Sequence, residues 1–206
     1  MPFSRTENRD RIIALIVIAF LVIVYWKSPK HTLYQEMAVS DTKEIDQLAA
    51  SITNGLSTDL QKTKAIHDWV AKNITYDTEN FFNGTINSRE YTAHETLKKR
   101  TAVCAGYANL NAALHRAAGI PVKVVSGVAL GYGLKGKAWS EVDTTKPNHA
   151  WNEVYVNGKW IIEDPTWDAG YVTPDKKFVF SLRDTYFGPD PKEFAKDHLK
   201  LTEVEY

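Results

Sequence analysis

Three residues of this 206-residue chain have types and surroundings suited to acyl chemistry: Cys104, His149 and Asp164. Cys104 is the sole cysteine, which excludes an intrachain disulfide and any Cys-rich zinc site. It opens an Ala-rich run, Val103 to Ala118, in which Tyr107, Leu110, Leu114 and Ala117 recur at helical spacing before Gly119 and Pro121 mark the stop. A cysteine at a helix amino terminus gains stabilisation of its thiolate from unpaired backbone N–H groups and the macrodipole. A neighbouring imidazole completes the activation, and a third group selects which ring nitrogen faces the sulfur. Taken singly each residue has a plainer role, since a lone cysteine among alanines is more often a small buried hydrophobe than a nucleophile.

The other two residues come from one predicted hairpin. In HAWNEVYVNGKWIIEDPTWD two apolar-alternating runs flank Asn157-Gly158, a strong signal for a type I′ turn. With Val156 opposite Lys159, Tyr155 faces Trp160, Glu153 faces Ile162 and Trp151 faces Asp164. His149 then shares a face with Trp151, which makes it a diagonal neighbour of Asp164 at about 7 to 8 Å between backbone positions, a gap that an imidazole and a carboxylate close by hydrogen bonding. A slip of one residue would put the pair on opposite faces, so the contact depends on a two-residue turn.

These segments resemble a known family. AVCAGYANLNAALHRAAGIPVKVVSG is similar to the cysteine-helix segment of the transglutaminase-like superfamily, and NHAWNEVYVNGKWIIEDPTWD to its histidine and aspartate segments. AIHDWVAKNITYD resembles the helix that commonly precedes the nucleophile, so the likeness runs from about Thr63 to Asp168. The resemblance implies an α+β, papain-like core with the cysteine helix packed on an antiparallel sheet, and thiol-dependent acyl transfer through a thioester. On matching positions it implies Cys104 as nucleophile, His149 as acid/base and Asp164 as the group that orients the ring. The chain departs at Ala102, where many relatives carry glycine two residues before the cysteine; this touches the local turn and removes no reacting group.

The chemistry expected is attack of Cys104 on an amide carbonyl of a protein or peptide, with His149 protonating the leaving amine and then activating water or an acceptor amine. The Cys104 N–H is the expected oxyanion donor. Water as acceptor makes a peptidase or amidase; a lysine-type amine makes a protein crosslinker. Trp139, Trp151, Tyr132 and Trp167 are candidate cleft residues, although aromatic residues near a sheet are more often core. The competing class is a non-catalytic surface module that binds a polymer or partner and keeps the three residues as a remnant. No cofactor is called for: His31, His67, His94, His115 and His198 are dispersed without metal-ligand spacing, and there is no EF-hand-like acidic loop. His67 and His115 are expected on helix surfaces or in satisfied hydrogen bonds.

The elements that must position these residues follow the same periodicities. A helix is predicted from Asp41 to Leu56, with Asp41 and Glu44 as a capping pair, and a second from Asp59 to Asn73 behind Thr58. A polar stretch, 80–88, precedes a short helix to Lys99 opened by Thr92 and Glu95. Val122 to Val128 reads as a strand, followed by a long Gly-rich loop to Asn148. Phe178, Phe180, Tyr186 and Phe187 are expected to complete the sheet, ahead of an exposed final helix.

The amino-terminal region reads differently. Ile12 to Trp26 is an uncharged run of 15 residues between Arg5, Arg9, Arg11 and Lys27, Lys30. At about 22 Å it falls short of a roughly 30 Å hydrocarbon core, and the bulky residues after it do not resemble a signal-peptidase site. The expectation is a tail at 1–11, an uncleaved transmembrane signal-anchor at 12–26, a linker at 27–40 and the catalytic domain at 41–206. Three arginines before the run against two lysines after it place the domain outside a cell membrane, spanned once. Formal charge is zero over the chain and −3 beyond residue 30, so no basic stripe points to a nucleic-acid partner.

Overall fold

The computed structural model describes residues 42–204. The apolar run 12–26 and its flanks lie outside them, and no helix of the described residues is long and apolar enough to cross a membrane. Helix α1 (Lys43–Thr53) is capped by Thr42, whose hydroxyl accepts from the Ile45 N–H, so the cap falls on Thr42 and not on the expected Asp41 and Glu44 pair. Helix α2 (Asp59–Asn73) starts as predicted, with Thr58 and Gln61 exchanging a reciprocal capping box. Strand β1 (Thr75–Tyr76) leads into α3 (Thr78–Asn83), a one-turn 3-10 segment at Ser88–Tyr91, and α4 (Ala93–Lys99) behind the Thr92 cap. Strand β2 (Thr101–Ala102) pairs parallel with β1 and delivers the chain to α5 (Cys104–Ala117).

The sheet begins with β3 (Val122–Ala129), whose β-branched run was legible in the sequence. Strands β4 (His149–Val156) and β5 (Lys159–Glu163) form the hairpin, with Asn157 and Gly158 both at positive φ (52° and 83°), the requirement of a type I′ turn. Val156 pairs with Lys159, Tyr155 with Trp160 and Glu153 with Ile162, the register expected from the turn. The ladder ends at Glu163. Asp164 and Pro165 do not continue the strand; they open a short helix α6 (Pro165–Ala169), followed by a separate ribbon of β6 (Gly170–Val172) and β7 (Phe178–Phe180).

The carboxyl-terminal expectation needs correction. After α7 (Pro191–Phe194) the chain forms β8 (His198–Val204), not a final helix, and β8 completes an antiparallel sheet of order β5-β4-β3-β8. The residues Leu199, Lys200, Leu201 and Thr202 alternate apolar and polar, a period of two whose charged members resemble an exposed helix when read by composition alone. Phe178 and Phe180 belong to the small ribbon, while Phe187 makes one backbone bridge to Glu163. Gly127 in β3 is where the pieces meet most closely: a Cβ there would collide with the Leu199 carbonyl of β8 and the Trp151 ring of β4.

Helix α5 lies on β4 and β3 and is covered on its other sides by α1, α2 and α4. Ile45, Ile66, Val70, Tyr107, Leu110 and Leu114 are fully buried in this core. Burial of each such aliphatic side chain contributes about 1.5 to 3 kcal/mol. Polar bonds fix the axial position of α5: the Tyr107 hydroxyl donates to the Ile74 carbonyl at 2.5 Å, and Asn152 of β4 donates to the Ala108 carbonyl at 3.0 Å. The helix therefore has one register against the sheet, and its first residue is placed by that register.

Candidate active site

Cys104 is the first residue of α5, half-buried and unpaired by any disulfide, with Val103 as the capping residue. His149 is the first residue of β4. Asp164 caps α6, and this cap divides the work of its two oxygens. Oδ1 accepts from the Thr166 and Trp167 N–H groups at 2.9 and 3.2 Å, while Oδ2 lies 2.6 Å from His149 Nε2. The predicted meeting of His149 with Asp164 occurs, by a different local route: Asp164 reaches the ring from a helix cap one step past the ladder.

The Nε2–Asp164 bond leaves Nδ1 as the uncommitted ring nitrogen for the sulfur, and Cys104 is near enough to the His149 ring to help raise its pKa. Burial presses this ring toward neutrality, but the charge of Asp164, that of Cys104 and hydrogen bonds to both outweigh it, and its pKa is raised to about 10. Burial would raise Asp164; the charge of His149 and the hydrogen bonds of His149 and His198 prevail and hold its carboxyl far below the usual range. The arrangement is a protonated imidazole clamped between sulfur and an ionised carboxylate.

His198 is the residue that sequence reasoning missed. It enters from β8 with Nε2 3.3 Å from Asp164 Oδ2 and Nδ1 2.6 Å from Asp197 Oδ1, and Asp197 in turn accepts from the Tyr186 hydroxyl at 2.8 Å. Its ring stacks on Phe194 at 4.0 Å between centroids. His149, Asp164 and His198 offer ligand atoms within 4.8 Å of one another, the spacing of a metal trio, but these atoms are already joined by hydrogen bonds. No spacing rule connects position 198 to position 164; a buried His beside a period-two run was the only available signal.

A second buried polar group sits beneath. Asn111, on the same α5 face as Cys104, donates to Asn152 at 2.9 Å and to Glu163 at 2.6 Å, so the helix is tied to the residue that precedes Asp164. His67 Nε2 lies 3.1 Å from Asp168, and its Nδ1 stands 3.3 Å from Glu163 Oε2, within ion-pair reach but without hydrogen-bond alignment. Burial lowers His67, yet the hydrogen bond to Asp168 and the close charges of Asp168 and Glu163 win and raise it to about 9; in His115 burial prevails and the pKa is lowered. Both rings are fully buried, so the helix-surface alternative fails, while the hydrogen-bonded one holds for one nitrogen of each: His67 Nε2 with Asp168 and His115 Nδ1 with the Asn111 carbonyl.

A cleft of about 970 Å³ opens beside His149. Tyr132 and Trp167 line it, the latter with its ring 5.8 Å from His149. Trp151 does not: it is 1% exposed and stacks against His149 at 6.2 Å, on the same face of β4 but further along the strand, where Phe194 and His198 cover it. Trp139 sits in a one-turn 3-10 segment (Trp139–Glu141) and is not among the lining residues.

The sequence profile of the transglutaminase-like superfamily matches residues 46–165, and the chain belongs to that superfamily. It is 32% identical over 157 residues to the Kyphoscoliosis peptidases of Homo sapiens and Mus musculus, covering 75% of this chain and 23% of either relative. It is also 30% identical over 148 residues to the uncharacterized protein YebA of Bacillus subtilis (strain 168), covering 68% of this chain and 19% of that one. The chain thus spans about a fifth to a quarter of the length of these relatives. Among solved structures it is similar to the periplasmic domain of TgpA from Pseudomonas aeruginosa, at 20% identity and a TM-score of 0.47, covering 68% of this chain and 49% of that one.

Proposed function

We propose that the domain is a cysteine enzyme that acts on amide bonds of proteins or peptides through a thioester at Cys104. The observation that carries this reading is the position of His149, which neighbours the Cys104 thiol while Nε2 is held 2.6 Å from a buried, ionised Asp164. Sγ attacks the carbonyl carbon, and the first-turn N–H of Cys104, which has no intrahelical partner, faces the developing oxyanion. The C–N bond breaks as His149 gives its Nδ1 proton to the departing amine. Water or an acceptor amine then attacks the thioester and loses its proton to Nδ1, and the C–S bond breaks to release the acyl product and return the sulfur as a thiolate paired with the imidazolium. Asp164 keeps the ring in the tautomer that both halves require.

The peptidase name of the relatives supports water as the acceptor; membership of the superfamily supports amine transfer equally. The deciding experiment uses a peptide-amide thiol probe under reducing conditions. Labelling of wild type that is absent in Cys104→Ala supports the enzyme, and native protein that stays unlabelled is instead a binding module. Mass analysis of products with and without a primary amine then reads cleavage against amine incorporation. We further propose, from the apolar run at 12–26, that the domain is tethered to a cell membrane on its outer side. Recovery of the full chain in the soluble fraction after cell breakage would remove that part.

A further inference from the structure

The cleft beside His149 is chemically lopsided. Residues 42–204 hold 20 Lys and Arg against 20 Asp and Glu, an even balance. The cleft lining holds Lys135, Lys137, Arg183 and Lys196 against a single carboxylate, Asp197. Both oxygens of Asp197 are engaged, one by His198 and the other by the Tyr186 hydroxyl. Lys196 pairs with Glu193 at 2.5 Å, and Arg183 lies over the Tyr171 ring at 5.8 Å. Lys135 and Lys137 have no carboxylate or ring partner among the described residues. They are not on an irregular tether: the Leu134 and Lys135 N–H groups both donate to the Gly131 carbonyl, and the Lys137 N–H donates to Leu134, so an ordered turn presents both ammonium groups.

Much of the remaining lining is aromatic. Tyr76, Phe81, Trp167 and Phe178 form it, and Tyr132 and Tyr171, each nearly half exposed, border it. Isolated surface lysines are ordinarily just solvated. Here two of them without partners stand in the same concavity as six aromatic rings, beside the residue that meets the nucleophile. A concave aromatic surface with charge of one sign at its edge focuses field on the ligand that enters and selects for the opposite sign.

We infer that the cleft is the substrate-binding groove for an acidic polypeptide segment, in which an apolar or aromatic side chain lies on the rings while neighbouring Asp or Glu carboxylates meet Lys135, Lys137 and Arg183. This rests on the thioester reading only for which bond reacts; the binding preference belongs to the cleft. The test uses the full chain carrying Cys104→Ala, so that no turnover occurs, with two fluorescein-labelled peptides identical except for Asp or Lys residues flanking a central Phe. The Asp peptide binds about tenfold more tightly at low ionic strength by anisotropy, and the preference shrinks in about 0.5 M salt. Adding Lys135→Glu and Lys137→Glu abolishes or inverts the preference, whereas Lys159→Glu, which does not line the cleft, leaves it in place. Equal binding of the two peptides, or a preference that survives the double charge reversal in a protein with unchanged melting temperature, overturns the inference. Wild type that labels at Cys104 but shows no acidic preference sinks this inference alone. A chain that prefers the acidic peptide yet never labels removes the catalytic reading and leaves the groove.

Discussion

Replacing Asp164 by Asn tests the proposed mechanism at its most constrained atom. Oδ1 of Asp164 accepts two backbone N–H groups, from Thr166 and Trp167, so an asparagine must put its carbonyl oxygen there to avoid setting donors against donors. Its NH2 group then occupies the place of Oδ2 and points at His149 Nε2. The ring can accept that bond only with its proton moved to Nδ1, the nitrogen left for the sulfur, and the neutral imidazole becomes unable to act as a base there. The rise of His149 from 6.5 to about 10, at roughly 1.4 kcal/mol per unit, is a net of about 5 kcal/mol after burial has worked against it, so its charged partners supply at least that much. A wrong-tautomer trap in a triad lowers the rate by about 10³- to 10⁴-fold, or roughly 4 to 5 kcal/mol, and that is the fall expected here. The assay is kcat/KM on a peptide amide across pH, with iodoacetamide alkylation of Cys104 as a substrate-free control. In wild type the alkaline limb lies near pH 10, where His149 loses its proton; in Asp164→Asn it moves toward that of an ordinary histidine. A variant within about tenfold of wild type, or an alkaline limb that stays where it was, refutes the role given to Asp164.

His198→Phe keeps the stack on Phe194 and removes both ring nitrogens; because its bond to Asp164 is 3.3 Å against 2.6 Å for His149, kcat falls only about 5- to 20-fold with KM held, and His198→Gln recovers part of the loss. An unchanged kcat, or a fall confined to KM, removes His198 as a positioning residue. Stability decreases as pH rises: the folded-state values of His67 and His149 lie above 6.5, so their contribution is complete below that value and is lost as pH passes about 9 and then about 10. Urea midpoints that stay flat or rise from about pH 7 to about 9.5 contradict this, and His67→Gln flattens the earlier part of the decline. Gly127→Ala forces a methyl against the Leu199 carbonyl and the Trp151 ring, destabilising by about 2 to 3 kcal/mol and lowering Tm by roughly 5 to 10 °C; an unaltered Tm shows that β8 is not packed as described.

Much of this architecture was readable one element at a time. Thr58 announced α2, Thr92 announced α4, and Asn157-Gly158 set the β4–β5 register residue by residue, because caps and two-residue turns act over three or four positions of chain. The errors lie where period and composition disagree. The charges of residues 198–204 looked like a polar helix, and Trp151, placed by alternation on the face of His149, turned out to be its support from the core and not a wall of the cleft.

From the chain alone came the cysteine at a helix start, the histidine and aspartate brought together by one turn, and the superfamily they resemble. All of these depend on local stereochemistry and on motifs whose members are close in sequence. Tertiary structure decided how the parts meet. It set α5 against β4 through Asn111, Asn152 and Glu163, turned Asp164 from a strand residue into a helix cap with its two oxygens differently engaged, and inserted His198 from 34 residues away. Such contacts join groups with no common period, and they form because a buried donor or acceptor must find a partner once the surrounding apolar surfaces have closed over it.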